Sequence, residues 1–154
     1  RPVMNSIKLP RIETLLRLGL GALFIFASFS KIADPAGFAA SISNYRMLPE
    51  LLVALMAAVL PWLELLCGLA LLLNRWTPGA SLLIVLMNAV FIVAIASAMA
   101  RGLDISCGCF STSGAGSRAG LARLLEDLLF LAAACWLYLR AAIGLYATPH
   151  RPGR

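Results

Sequence analysis

Charge is scarce in this chain: Asp, Glu, Lys and Arg make up 13% of its 154 residues, against 61% hydrophobic. A soluble domain of that composition would have far more apolar surface than it could bury, so lipid is the expected solvent. Histidine is limited to His150, at the far terminus from Cys107 and Cys109, so a zinc site at that pair would lack its usual imidazole ligands. No dense basic patch accompanies the formal charge of +6. The basic residues sit singly at the ends of apolar runs, as topology signals and interfacial anchors do, and nothing resembles a nucleic-acid footprint. No A-x-A-like cleavage site followed by a polar domain is present either. The first apolar run therefore reads as a retained span and the chain, residues 1–154, as one membrane domain.

Four runs meet the roughly 20-residue requirement for crossing the hydrocarbon core: about 12–32, 51–73, 79–100 and 121–145. The expected fold is all-α, an integral membrane four-helix bundle. Thr77-Pro78 reads as an N-cap and first-turn proline, and Pro61 should kink the second run, because its ring crowds the carbonyl of Ala57. The link from Asn74 to Thr77 is short enough to make runs two and three an antiparallel hairpin. Between runs one and two, Asp34-Pro35 opens a short helix with Phe38, Ile42 and Tyr45 on one face, expected to lie in the membrane interface.

Lys and Arg set the orientation. Eight lie on the side holding both termini and the Arg75 link, and five on the other: Lys31, Arg46, Arg101, Arg118 and Arg123. That split places both termini in the cytoplasm and the two long connections outside.

Cys107-Gly108-Cys109 is the most chemically pointed motif. Two thiols one residue apart can close a small, strained disulfide when the residue between them tolerates an unusual backbone, and glycine does so at least cost. Such a bond exchanges readily, and an outward-facing loop would place it in an oxidising compartment. Arg101 is close enough in sequence to favour a thiolate. A structural cysteine pair, and half of a metal site completed by dimerisation, are the competing readings. Cys67 and Cys135 sit singly in apolar runs, where a cysteine ordinarily behaves as a small hydrophobe.

Glu64 is the acidic residue nearest the centre of a run, and a carboxylate there is either neutral or partnered. Asn88 is expected at nearly the same depth and is the natural partner, whether the pair serves as interhelical glue or in proton transfer. Arg123, Glu126 and Asp127 share one helix face. They are expected at the outer level of Lys31, Asp34 and Arg101, as a charged rim or as a set that tunes the thiols.

The chain resembles the MauE family of methylamine-utilisation membrane proteins, within the wider DoxX-like group. The landmarks are Phe29-Ser30-Lys31-Ile32-Ala33-Asp34-Pro35, Tyr45-Arg46-Met47-Leu48-Pro49, Leu60-Pro61-Trp62-Leu63-Glu64, and the stretch from Arg101 to Phe110 around the cysteines. The resemblance implies a bacterial inner-membrane protein that works with a thioredoxin-like partner on the disulfides of exported proteins. It further implies that Cys107 and Cys109 are the redox pair, with Lys31, Glu64, Arg101, Arg123 and Asp127 as supporting polar residues. The sequence departs from the family pattern after the cysteines, with Ser111 where glycine is common. No motif marks a metal or cofactor, and none marks a quinone as terminal electron acceptor. An accessory subunit of a larger membrane complex, with no turnover of its own, and a small-solute carrier using Glu64 are the alternatives from other classes.

Overall fold

The computed structural model describes residues 8–102 and 121–147. The described residues form helices α1 (Lys8–Ala33), α2 (Pro35–Ser43), α3 (Glu50–Leu72), α4 (Thr77–Ala100) and α5 (Leu121–Ala147), with no strand among them. By length and composition α1 (from Arg11), α3 and α4 can cross a membrane. The protein is therefore a multi-pass membrane protein. The expected fourth span, α5, is as long but less uniformly apolar, since it carries Arg123, Glu126, Asp127 and Arg140.

α1 packs chiefly against α3, and α4 against α5; α3 also touches α4, α2 seats on α3, and a narrower contact joins α1 to α5. One apolar core draws on all four long helices: Leu20 and Phe24 from α1, Cys67 and Leu71 from α3, Ala80 and Ile84 from α4, Ala134 and Leu137 from α5. Large apolar side chains also point outward, among them Phe26, Leu66, Val90 and Leu129, each at least 59% exposed. Solvation of that surface by water would be costly, and lipid removes the cost.

The short connections follow local chemistry. Asp34 alone separates α1 from α2; its Oδ1 accepts the Gly37 N–H at 2.9 Å and Pro35 supplies the first helical turn, as expected. Replacing it tests the cap. Asp34→Ala should cost about 1 kcal/mol and Asp34→Asn very little, as read by thermal unfolding in detergent. Between α3 and α4 the expectation shifts by one residue: Trp76 is the cap and Thr77 already lies in the helix. Asn74 and Trp76 both take left-handed φ of 53°, reversing the chain, while the Thr77 hydroxyl donates to Asn74 Oδ1 at 3.2 Å. α3 runs through Pro61 as one helix, and the proline ring is buried in the packing.

α2 is the short helix expected between the first two spans. It buries Phe38 and Ser41, and Tyr45 just beyond it, so it is a packed element of the core as well as a connection. α1 and α2 both pack on α3.

Candidate functional site: a polar layer inside the helices

Two glycines bring α1 and α3 together. A Cβ on Gly68 would stand 2.7 Å from Ile25 Cγ1 and 2.8 Å from the Gly21 carbonyl oxygen, and one on Gly21 would stand 2.9 Å from the Gly68 oxygen. Only residues without side chains allow backbones that close, a common device where membrane helices associate. The approach sets the antiparallel register. One turn before Gly68 on α3 is Glu64, and it faces Lys31, near the C-terminal end of α1.

The Lys31 ammonium donates to both carboxylate oxygens of Glu64, at 2.6 and 2.7 Å, with both residues at most 3% exposed. The rings of Phe38 and Phe91 flank the ammonium, their centroids 5.1 and 5.6 Å away. Each partner compensates the desolvation of the other, and the aromatic faces add cation–π attraction. This corrects two expectations. Lys31 is an interior residue, not part of an outer charged rim; and the carboxylate of Glu64 is taken by Lys31, where Asn88 was expected as its partner. A single basic residue at the end of an apolar run reads as an interfacial anchor, and the helical register that carries Lys31 inward arises from contacts remote in sequence.

Asn88 of α4 and Asp127 of α5 complete the layer. Together with Lys31 and Glu64 they line a small cavity of about 40 Å³, otherwise walled by apolar side chains that include Phe24, Phe91 and Phe130. Each of the four long helices thus contributes one polar residue. Asn88 is 7% exposed, and its Nδ2 has no hydrogen-bond partner among the described residues. Asp127 is 5% exposed and lines the same cavity as Lys31, whose level it was expected to share, but it is buried between the helices and not on an open rim. Met87 and Phe91 also line a larger apolar cleft of about 570 Å³, which reaches Tyr45, Leu48, Met56 and Leu60.

Arg101 lies apart from this layer, at the C-terminal end of α4. Its guanidinium donates to the carbonyl oxygens of Tyr45 at 2.6 Å and Arg46 at 3.4 Å, and its Nε to Ser97 O at 3.1 Å. Arg46 has a left-handed φ of 49°, so Arg101 ties the end of α4 to a strained turn between α2 and α3. Arg123 lies in the first turn of α5, and its side chain is outside the described set. Cys107 and Cys109 lie outside the described residues. Cys67 and Cys135 are free thiols, buried and half-buried respectively. The structure therefore brings together three of the predicted site residues, Lys31, Glu64 and Asp127, and adds Asn88. Arg101 is left at one end of the molecule.

Comparison with known proteins agrees with the sequence landmarks. The protein named Methylamine utilization protein MauE in Methylophilus methylotrophus is 32% identical over 120 residues, which cover 77% of this chain and 63% of that protein. Its namesake in Methylorubrum extorquens is 36% identical over 109 residues, covering 70% and 59%. The one in Paracoccus denitrificans is 32% identical over 102 residues, covering 66% and 55%. The matched region thus spans less than two thirds of the length of these relatives. No solved structure matches the chain. The family profile described as methylamine utilisation protein MauE aligns with residues 9–140, from the start of α1 into α5 and across the Cys-Gly-Cys motif, and the chain belongs to that family.

Proposed function

We propose that this protein is a membrane thiol–disulfide exchanger, passing electrons between its Cys107–Cys109 pair and an extracytoplasmic thioredoxin-like protein during maturation of exported proteins. The observation that carries the reading is the Cys107-Gly108-Cys109 motif, six residues beyond Arg101. Arg101 holds the end of α4 against the α2–α3 turn, so the segment bearing the thiols leaves from an anchored point. Membership of a family whose relatives are named for methylamine utilisation supports a role in such a pathway. The reading places the protein in a bacterial inner membrane with α5 as a fourth span, both termini cytoplasmic and the cysteines outside. The polar layer in the interior ties the four long helices together.

In the exchange, a thiolate attacks a disulfide sulfur of the partner. One partner sulfur leaves as thiolate and a mixed disulfide forms, which the second cysteine resolves by forming the Cys107–Cys109 bond. The two electrons gained by the partner are those given up by the dithiol, and the reverse sequence oxidises the partner. Cys109 is assigned as the partner-facing thiol and Cys107 as the resolving one.

Cys107→Ser should therefore accumulate a mixed disulfide with a thioredoxin-like protein, sensitive to reductant and identifiable by mass spectrometry. A membrane-impermeant thiol reagent should label the unmodified pair in reduced cells with the outer barrier opened. If neither single-serine variant traps a partner and the double-serine variant fully supports client disulfide formation, the protein is an accessory subunit instead. Labelling that needs inner-membrane lysis would reverse the topology.

A further inference from the structure

We propose that the polar cavity holds a bound neutral oxygen, a hydrogen-bond acceptor that takes the unused donors of Asn88 and Lys31. The argument is one of donors and space. Asn88 Nδ2 brings N–H groups into an interior where it has no protein acceptor among the described residues. Burying an amide unpaired is costly, which is why such groups in native interiors are satisfied by water or a ligand. Lys31 has three N–H donors and gives two short bonds to Glu64, leaving a third. Both residues line the same space. At about 40 Å³ that space exceeds the roughly 10–15 Å³ needed to seat one water. It is too small for a metabolite-sized solute, for which pockets of about 300 Å³ or more are usual. A carrier mechanism through Glu64 therefore finds no room here, whereas one or two small acceptors do.

The acceptor has two sources with the same chemistry. One is water. The other is a carbonyl oxygen at the end of a lipid-soluble molecule such as a quinone, its body in the larger apolar cleft that shares Met87 and Phe91 with the polar cavity. In either case the oxygen joins Lys31–Glu64 on α1 and α3 to Asn88 on α4, across the junction between the two closely packed helix pairs. This inference does not depend on the thiol chemistry and stands or falls separately from it.

Substitution of Asn88 by leucine, close to it in size, distinguishes an occupied cavity from a dry one by the sign of the effect. With an acceptor bound, Asn88→Leu loses its hydrogen bonds and the melting temperature of the detergent-solubilised protein should fall, on the order of 5 °C. In a dry cavity the same change removes an unpaired amide, so an unchanged or raised melting temperature would overturn the proposal. A second measurement needs no variant: proton-detected NMR of the Asn88 side-chain amide, in protein reconstituted in lipid. A cross-peak to water identifies water as the acceptor. A shift of that amide on adding ubiquinone-1, with no water cross-peak, identifies a carbonyl. Absence of both signals overturns the proposal even if Asn88→Leu fails to fold.

Discussion

Lys31→Met should destabilise the protein by about 3–5 kcal/mol, the usual cost of leaving a buried charge without its partner. Lys31 and Glu64 are almost entirely enclosed, and both carboxylate oxygens depend on one ammonium. Removing the cation leaves Glu64 to be desolvated alone, and the flanking rings of Phe38 and Phe91 offer a carboxylate nothing in return. The double variant Lys31→Met with Glu64→Leu should recover most of the loss, since apolar residues of similar volume commonly replace a buried pair at little net cost. Thermal or denaturant unfolding of the purified protein measures both against the parent. Equal losses in the single and double variants would mean that Lys31 matters for its packing and not for its charge.

The second large effect is expected at the glycine contact. Gly68→Val should cost about 3 kcal/mol or more, because backbone atoms of α1 stand where the new side chain must go and a well-packed core does not absorb such volume. Gly68→Ala should lie in the same direction with a smaller loss. Gly19 is the control. It lies in the same helix as Gly21 but has open space around its missing Cβ, so Gly19→Ala should be neutral or gain the roughly 0.5–1 kcal/mol that alanine brings to a helix interior. The three variants, compared by unfolding midpoint, separate close approach from simple helix propensity. A Gly68→Val protein as stable as the parent would show that α1 and α3 need not touch at this point.

Much of the architecture was legible because it is written locally. The apolar runs placed α1, α3, α4 and α5 within a few residues of their observed ends, and Asp34-Pro35 announced α2 through an interaction spanning only three residues. Glu64 was marked by its chemistry alone, since a carboxylate in the middle of an apolar run demands an explanation. Its partner was not legible. Lys31 and Glu64 meet because Gly21 and Gly68 fix how α1 slides along α3, and no spacing of either glycine within its own helix announces that contact. A signal was nevertheless present in the apolar face of α2: Phe38, Ile42 and Tyr45 need a surface to cover. Part of that surface comes from α4, where Tyr45 packs on Ile95 and Ala98, and the ring of Phe38 lies against the Lys31 ammonium itself, so this face flanks the ion pair.

The ion pair also bears on how the protein comes to exist. Lys31 and Glu64 are 33 residues apart, so a ribosome delivers the lysine to the membrane before its counter-charge has been made. A lone lysine close to a helix end can keep its ammonium in the headgroup region by extending its side chain. Until α3 arrives, α1 has no internal partner for that charge and its least costly position is a shallow one. The pair can form only once α3 is present, and in the folded protein it accompanies the close approach of Gly21 and Gly68. The order of synthesis therefore separates the arrival of two charges that the finished interior requires together.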